Sequence, residues 1–130
     1  LAAAFERSGL SDALAVTLGG LRDLPALPLL LIVCAAIVLL SEIASNTAAA
    51  VLLMPILAAA AVAMDVEPAL LMLPAVLAAS CGFMLPVATA PNAVAYGTNL
   101  VDSRRMLREG AMIDALGVFA IVLVSWLLLH

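Results

Sequence analysis

The stretch that decides the fold runs from residue 37 to residue 47 and reads Ile37-Val38-Leu39-Leu40-Ser41-Glu42-Ile43-Ala44-Ser45-Asn46-Thr47. It places a cluster of polar residues between two strongly apolar arms, residues 27–40 and 48–63. In membrane hydrocarbon an unsatisfied polar group is costly, so such a break persists only inside protein or beside a cavity. At helical rise the first arm is only about 21 Å long, shorter than a hydrocarbon core of roughly 30 Å. The stretch therefore predicts a re-entrant helical hairpin whose polar tip lies near mid-depth of the membrane.

The composition supports this interpretation. The chain has 130 residues, of which 67% are hydrophobic and 11% are charged, and its mean hydropathy is +1.29. A soluble domain of this size carries far more surface charge, so the class predicted is an all-α integral membrane protein. All five basic residues are arginines and three of them fall within residues 104–108, which leaves no patch suited to nucleic acid.

Apolar runs and their interruptions divide the chain into four predicted segments. These are the end of a preceding helix with a connecting helix over 13–18 (1–23), the re-entrant hairpin (24–67), a broken transmembrane helix (68–103) and a last transmembrane helix (104–130). In the broken helix, a first piece over 69–85 is interrupted between Pro86 and Pro91, and a shorter piece follows over 92–99. Two discontinuous membrane helices in one short chain point to a transport site.

The arginines predict the orientation in the membrane. A short loop containing Arg104, Arg105 and Arg108 belongs on the cytoplasmic side by the positive-inside rule. The crossings counted from that loop place Asp65 and the C-terminus, His130, on the outside. A bacterial inner membrane is the expected location.

The ends of the broken helices offer two kinds of ligand at the hairpin tip. The end of one helix presents carbonyl groups, which suit a cation, and the start of the next presents N–H groups, which suit an anion. Ser41 and Ala44 lie toward the carbonyl end and suit a hard monovalent cation. Asn46 can offer its oxygen to the cation and its amide to an anion. Thr47 can cap the second arm or donate its hydroxyl to a carboxylate.

The second break has the same character, although simpler explanations exist for single residues. Carbonyl groups near Ala88 and Thr89 suit a cation, and Pro91 is expected at the first position of the following helix. A polar residue inside a membrane helix often bonds only to its own helix or to a neighbouring one. Glu42, taken as the single acid at membrane depth, is a candidate proton site, but it could equally face water at the tip or pair with a missing segment.

Two segments resemble a known family of carriers. Ser41-Glu42-Ile43-Ala44-Ser45-Asn46-Thr47 resembles the Ser-Asn-Thr hairpin motif of the divalent anion/sodium symporter (DASS, SLC13-type) permeases. The segment from Ala79 to Val94 is similar to their signature, with Ser, Phe, Pro and Asn at matching spacings, and the opening Ala-Phe-Glu-Arg-Ser-Gly-Leu-Ser is similar to the family's entry to this half. The resemblance covers nearly the whole chain, and the two motifs together are specific.

The resemblance implies that the chain is the C-terminal half of such a carrier, without the first inverted repeat. It implies a sodium site at Ser41, Ala44, Asn46 and Ala88, and contact between a substrate carboxylate and the positions Asn46 and Thr47. It also implies that the full-length carrier is a homodimer in which a transport domain moves like an elevator against a scaffold.

The chain departs from the family pattern at Ala90, where a second proline is usual. Ala90 and Pro91 are expected beside the substrate, so this departure bears on which anion is carried. The prediction is a secondary active transporter that couples sodium to uptake of a di- or tricarboxylate such as succinate, with sodium as coupling ion and no other cofactor. A permease for sulfate or another inorganic anion and a non-transporting fragment are the alternatives.

Two further classes are disfavoured. An enzyme is disfavoured because the sequence shows neither a nucleophile–base pair nor a cluster of metal ligands. No continuous polar stripe suggests a channel.

Overall fold

The computed structural model of the protein describes Gly20 and residues 24–129. These residues form helices and loops without strands, as expected for an all-α membrane protein. The helices are α1 (Ala26–Ile43), α2 (Asn46–Ala63), α3 (Pro68–Ala79), α4 (Ala90–Gly97) and α5 (Ser103–Leu129). By length and composition, α1, α2 and α5 are each long and apolar enough to cross a membrane. The predicted helix over 13–18, the turn residues Arg22 and Asp23, and His130 lie outside the described residues.

Helix α1 is longer than the predicted first arm. It has 18 residues, about 27 Å at helical rise, because Ser41, Glu42 and Ile43 continue the helix instead of ending it. The Ser41 hydroxyl lies 2.8 Å from the carbonyl oxygen of Val38, one turn earlier, which keeps this polar residue inside the helix. The estimate of a 14-residue arm was therefore wrong, and arm length does not separate a re-entrant hairpin from two spanning helices.

The hairpin tip consists of two residues. Ala44 ends α1 in an extended conformation, and Ser45 begins α2 by accepting a hydrogen bond of 3.5 Å from the N–H of Ala48. The two arms make few contacts with each other, since both pack mainly on α3. At its far end α2 closes in a left-handed turn at Asp65 (φ 57°), where the N–H of Val66 bonds the carbonyl of Ala61.

Helix α3 lies at the centre of the helices and packs against α1, α2 and α5. It begins at Pro68, as predicted, since a proline at the first helical position gives up no intrahelical hydrogen bond. It ends at Ala79, six residues before the predicted end at residue 85. Its buried face consists of small and apolar residues: Leu71, Pro74, Ala75, Ala78 and Ala79. The early end leaves residues 80–89 as a non-helical break before α4.

Helix α5 begins at Ser103, so the arginines predicted to form a loop instead lie in its first turns. Arg105 pairs with Glu109 one turn later, with Nε 3.6 Å from Oε1, at an exposed face. The buried residues of α5 recur about every fourth position, as one stripe of a helix requires: Met106, Gly110, Asp114, Val118, Val122 and Ser125.

The contacts of the break set the level of the hairpin tip along α5. The N–H of Phe83 bonds Asp114, while Glu42, in the last turn of α1 just before the tip, bonds the next two N–H groups. Asp114 is eleven residues into α5, about 16 Å from its start at helical rise. The tip therefore lies part-way along the longest apolar helix. This position favours the re-entrant arrangement, which stays a prediction.

Candidate functional site

The hairpin tip and the break after α3 meet in space. The Ser41 hydroxyl lies 2.5 Å from the carbonyl oxygen of Cys81, forty residues away in sequence. Gly82 sits between Ser41 and Ala88, so that a side-chain carbon added to it would lie 3.6 Å from each of them. The structure thus brings together two of the four predicted cation positions that the sequence places in separate segments.

Glu42 holds the break from the side of the hairpin. Its side chain is 2% exposed. Its two carboxylate oxygens accept the N–H groups of Met84, at 2.9 Å, and Leu85, at 2.7 Å. The partners of Glu42 are therefore backbone groups of this chain and not a missing segment. These bonds occupy the N–H groups of residues 84 and 85, which a helix continuing to the predicted end at residue 85 would need for bonds to carbonyls one turn earlier.

Asn92 holds the break from the side of α4. Its side-chain nitrogen donates to the carbonyl oxygens of Gly82, at 2.7 Å, and Leu85, at 3.0 Å. Thr89 caps α4 by accepting the N–H of Asn92 at 3.3 Å. Ala90 takes the first helical position and Pro91 the second, one position later than predicted. The polar residues around the second break therefore shape the backbone.

Asp114 is a functional candidate that the sequence prediction missed. It is 3% exposed and its Oδ2 accepts the N–H of Phe83 at 3.3 Å. The expectation that Glu42 is the single acid at membrane depth is therefore wrong. The available signal was an aspartate inside the apolar run 110–129, which in a membrane helix is a functional hypothesis by default.

The remaining predicted ligands differ in exposure. Ser41 is fully buried, and Ala44, Asn46 and Ala88 are half-buried. The Oδ1 atom of Asn46 is buried without a hydrogen-bond partner. Because a buried polar oxygen without a partner is unfavourable, this atom is available to a cation or other donor. Thr47 is exposed, as are the predicted substrate positions Ala90 and Pro91.

The helix ends give the site both signs of partial charge. Helix α1 ends at the hairpin tip and α3 ends at the break, and a helix C-terminus carries carbonyl groups and partial negative charge, which favour a cation. The first turns of α2 and α4 present N–H groups and positive dipole ends, which favour an anion. The described part of the chain contains no group of three His, Cys, Asp or Glu side chains suited to a transition metal. Carbonyl, hydroxyl and amide oxygens suit a hard cation instead.

A polar hairpin tip that meets a broken helix among apolar helices defines an all-α membrane protein built from discontinuous helices. The chain belongs to the family described as the sodium:sulfate symporter transmembrane region, whose model matches residues 1–130. This membership confirms the resemblance found in the two motifs.

Individual relatives agree with the family. The chain is 40% identical over 128 residues to the sodium-dependent dicarboxylate transporter SdcS of Staphylococcus saprophyticus, covering 98% of this chain and 25% of the relative. It is 42% identical over 128 residues to solute carrier family 13 member 2 of Rattus norvegicus, covering 97% and 22%. With Na(+)/dicarboxylate cotransporter 3 of the same species it shares 36% identity over 118 residues, covering 91% and 20%.

The chain thus spans about a quarter or less of the length of these relatives. Their names describe transporters, which confirms that the chain does not belong to an enzyme family.

Proposed function

We propose that this chain is part of the C-terminal half, and not the whole of it, of a secondary active transporter that couples sodium to the uptake of a di- or tricarboxylate such as succinate. The observation that carries the proposal is the meeting of the hairpin tip with the break, beside the buried and unpartnered Oδ1 of Asn46. The relatives' names supply the chemical class, since they describe sodium-dependent dicarboxylate transport.

In this proposal the cation binds where carbonyl ends converge. The ligands are Ser41, Ala44, Asn46 and Ala88, of which Ser41 and Ala88 both lie beside Gly82. The Ser41 hydroxyl points its hydrogen at backbone carbonyls, so its lone pairs remain available to a cation. A monovalent cation needs several such oxygens, and the pre-formed break supplies them without a large rearrangement.

The anionic substrate binds at the opposite ends of the helix breaks. Asn46 and Thr47 form the first turn of α2, and Ala90 and Pro91 form the first turn of α4. The first turn of α2 offers the N–H groups of Asn46 and Thr47 to a carboxylate, and Thr47 adds a hydroxyl donor. The first turn of α4 offers the N–H of Ala90, because Pro91 has none and Thr89 accepts the N–H of Asn92. Because a bound cation offsets part of the substrate charge, occupancy of each site favours occupancy of the other.

The arrangement in the membrane is part of the same proposal. The hairpin enters and leaves on one side, the first turns of α5 with Arg104, Arg105 and Arg108 face the cytoplasm, and the C-terminus lies outside a bacterial inner membrane. The full-length protein is a homodimer in which a domain containing the hairpin moves like an elevator. The exposed apolar faces of α2 and α5 are available to lipid and to the rest of the transporter.

Uptake into proteoliposomes that contain the full-length protein tests the proposed function. An inward sodium gradient should drive accumulation of labelled succinate, and replacement of sodium by choline should abolish it. Accumulation that is independent of sodium would contradict the coupling.

The same preparation tests the second candidate, a sulfate permease, which the family description favours. An excess of unlabelled dicarboxylate should compete with the labelled succinate, whereas sulfate should not. Competition by sulfate alone would identify the carrier as an inorganic anion permease instead.

A further inference from the structure

Asp114 is a buried acid to which the proposed ligand sets assign no role. It lies in the middle of the buried stripe of α5. One carboxyl oxygen, Oδ2, accepts the N–H of Phe83, whereas Oδ1 receives no hydrogen-bond donor. The side chain also lies within interaction range of the Glu42 carboxyl group. A side chain of this polarity is kept at membrane depth at considerable cost, so a function is the default expectation.

The backbone of the break is held by side chains from three different elements. The last turn of α1 contributes Ser41 and Glu42, α4 contributes Asn92, and α5 contributes Asp114. Asp114 and Glu42 accept the N–H groups of residues 83, 84 and 85. Ser41 donates to the carbonyl group of residue 81, and Asn92 donates to the carbonyl groups of residues 82 and 85. A stretch without helical hydrogen bonds thereby acquires a fixed direction for its carbonyl groups.

Helix α5 approaches this stretch more closely than a side chain would permit. A carbon added at Gly110 would overlap the carbonyl group of Phe83 and the Cα atom of Met84. Asp114 is the next residue along the same face, one turn further, and supplies the hydrogen bond at this contact. Gly110 allows the close contact between α5 and the break, and Asp114 adds a hydrogen bond to it.

We propose that Asp114 is a positioning residue of the transport site. It fastens the backbone at Phe83 to α5, so that the carbonyl groups beside Gly82 keep the direction that cation binding between Ser41 and Ala88 requires. This inference rests on the proposed sodium-coupled function.

The required property of Asp114 is a hydrogen-bond acceptor of this shape at this position, and not a charge. The ionisable groups that face it, Glu42 and the Cys81 thiol, carry no positive charge that a second carboxylate could balance. The arginines of α5 lie on its exposed face. An asparagine would keep an oxygen for the N–H of Phe83, and its amide could donate to the Glu42 side chain, so it meets the same contacts without a charge.

The test compares three variants of the full-length transporter in proteoliposomes. Asp114→Asn keeps the acceptor, Asp114→Leu keeps the approximate volume without it, and Ser125→Ala removes a buried polar group from the same stripe of α5 away from the break. For each variant, sodium half-saturation and maximal rate of succinate uptake are measured. Hydrogen–deuterium exchange of the peptide that contains residues 83–85 is measured on the same protein without substrate.

We expect Asp114→Leu to raise the sodium half-saturation about tenfold, as for one lost hydrogen bond, and to accelerate exchange at residues 83–85. Asp114→Asn and Ser125→Ala should match the wild type in both. A fall in maximal rate with unchanged sodium half-saturation in Asp114→Leu would overturn the inference, as would an Asn variant as impaired as the Leu variant. Unchanged exchange at residues 83–85 in Asp114→Leu would also overturn the inference, whether or not the wild type transports. Absence of sodium-driven uptake by the wild type would instead refute the proposed function.

Discussion

The two hydrogen bonds of Glu42 allow a prediction whose size follows from the structure. Glu42→Ala removes the acceptor of two N–H groups, at 2.9 Å and 2.7 Å, in a side chain that is 2% exposed. Each hydrogen bond to a charged group contributes about 1.5–3 kcal/mol, so the break should lose about 3–6 kcal/mol of local stability. Since 1.4 kcal/mol corresponds to a factor of ten, local opening should become at least about 100-fold more frequent.

Hydrogen–deuterium exchange of the full-length protein in lipid nanodiscs measures this opening at Met84 and Leu85. Glu42→Gln keeps one carbonyl oxygen, so its exchange should fall between those of the wild type and the Ala variant. Glu67→Ala is the matched control, because Glu67 is an exposed acid that makes no side-chain capping bond to α3. Unchanged exchange at residues 84 and 85 in Glu42→Ala would refute the conclusion that Glu42 holds the break.

Two further predictions concern the substrate and the hairpin. Ala90→Pro should fold, because Thr89 already has the extended conformation (ψ 155°) that a residue before proline adopts. It should shift the preference among dicarboxylate, tricarboxylate and sulfate, because it removes an N–H donor. An unchanged order of preference in uptake competition would show that position 90 does not face the substrate. Spin labels at Ser45, Asp65 and Asp102 should show the tip deeper in the membrane than either loop, by oxygen and nickel accessibility in nanodiscs. A label at Ser45 as shallow as the one at Asp102 would mean that both arms span the membrane.

The positions of the two breaks could be predicted from the sequence, but the extents of the helices around them could not. Polar residues between apolar runs mark the tip at Ala44 and Ser45 and the start of α4 near Pro91, because these signals are local. The non-helical stretch that follows Ala79 is bound by Glu42 and Asp114, which accept the N–H groups of residues 83–85 from distant segments. A local stretch of sequence does not contain these contacts, because the partners lie 31 and 42 residues apart.

The start of α5 and the role of Asp114 were missed for a different reason. Arginine is a good helix former, so a polar run at a membrane boundary does not require a loop, and α5 begins at Ser103. Asp114 lay in a span that reads as uninterrupted when only mean hydropathy is considered. Buried residues recur every fourth position from Met106 to Val122, and Asp114 is one of them. Analysis of this helical periodicity could have placed Asp114 on the buried face.

The most direct test of the account is sodium-driven succinate uptake by the full-length transporter carrying Asn46→Ala or Thr47→Val. In the proposed site Asn46 serves both the cation and the anion, so its replacement should raise the half-saturation concentrations of both sodium and succinate. Thr47→Val removes only a hydroxyl, so it should weaken succinate affinity by roughly ten- to a hundredfold, the equivalent of one hydrogen bond to a charged group, and leave sodium affinity near that of the wild type. Wild-type affinities for both ligands in both variants would contradict the account and place the transport site elsewhere in the protein.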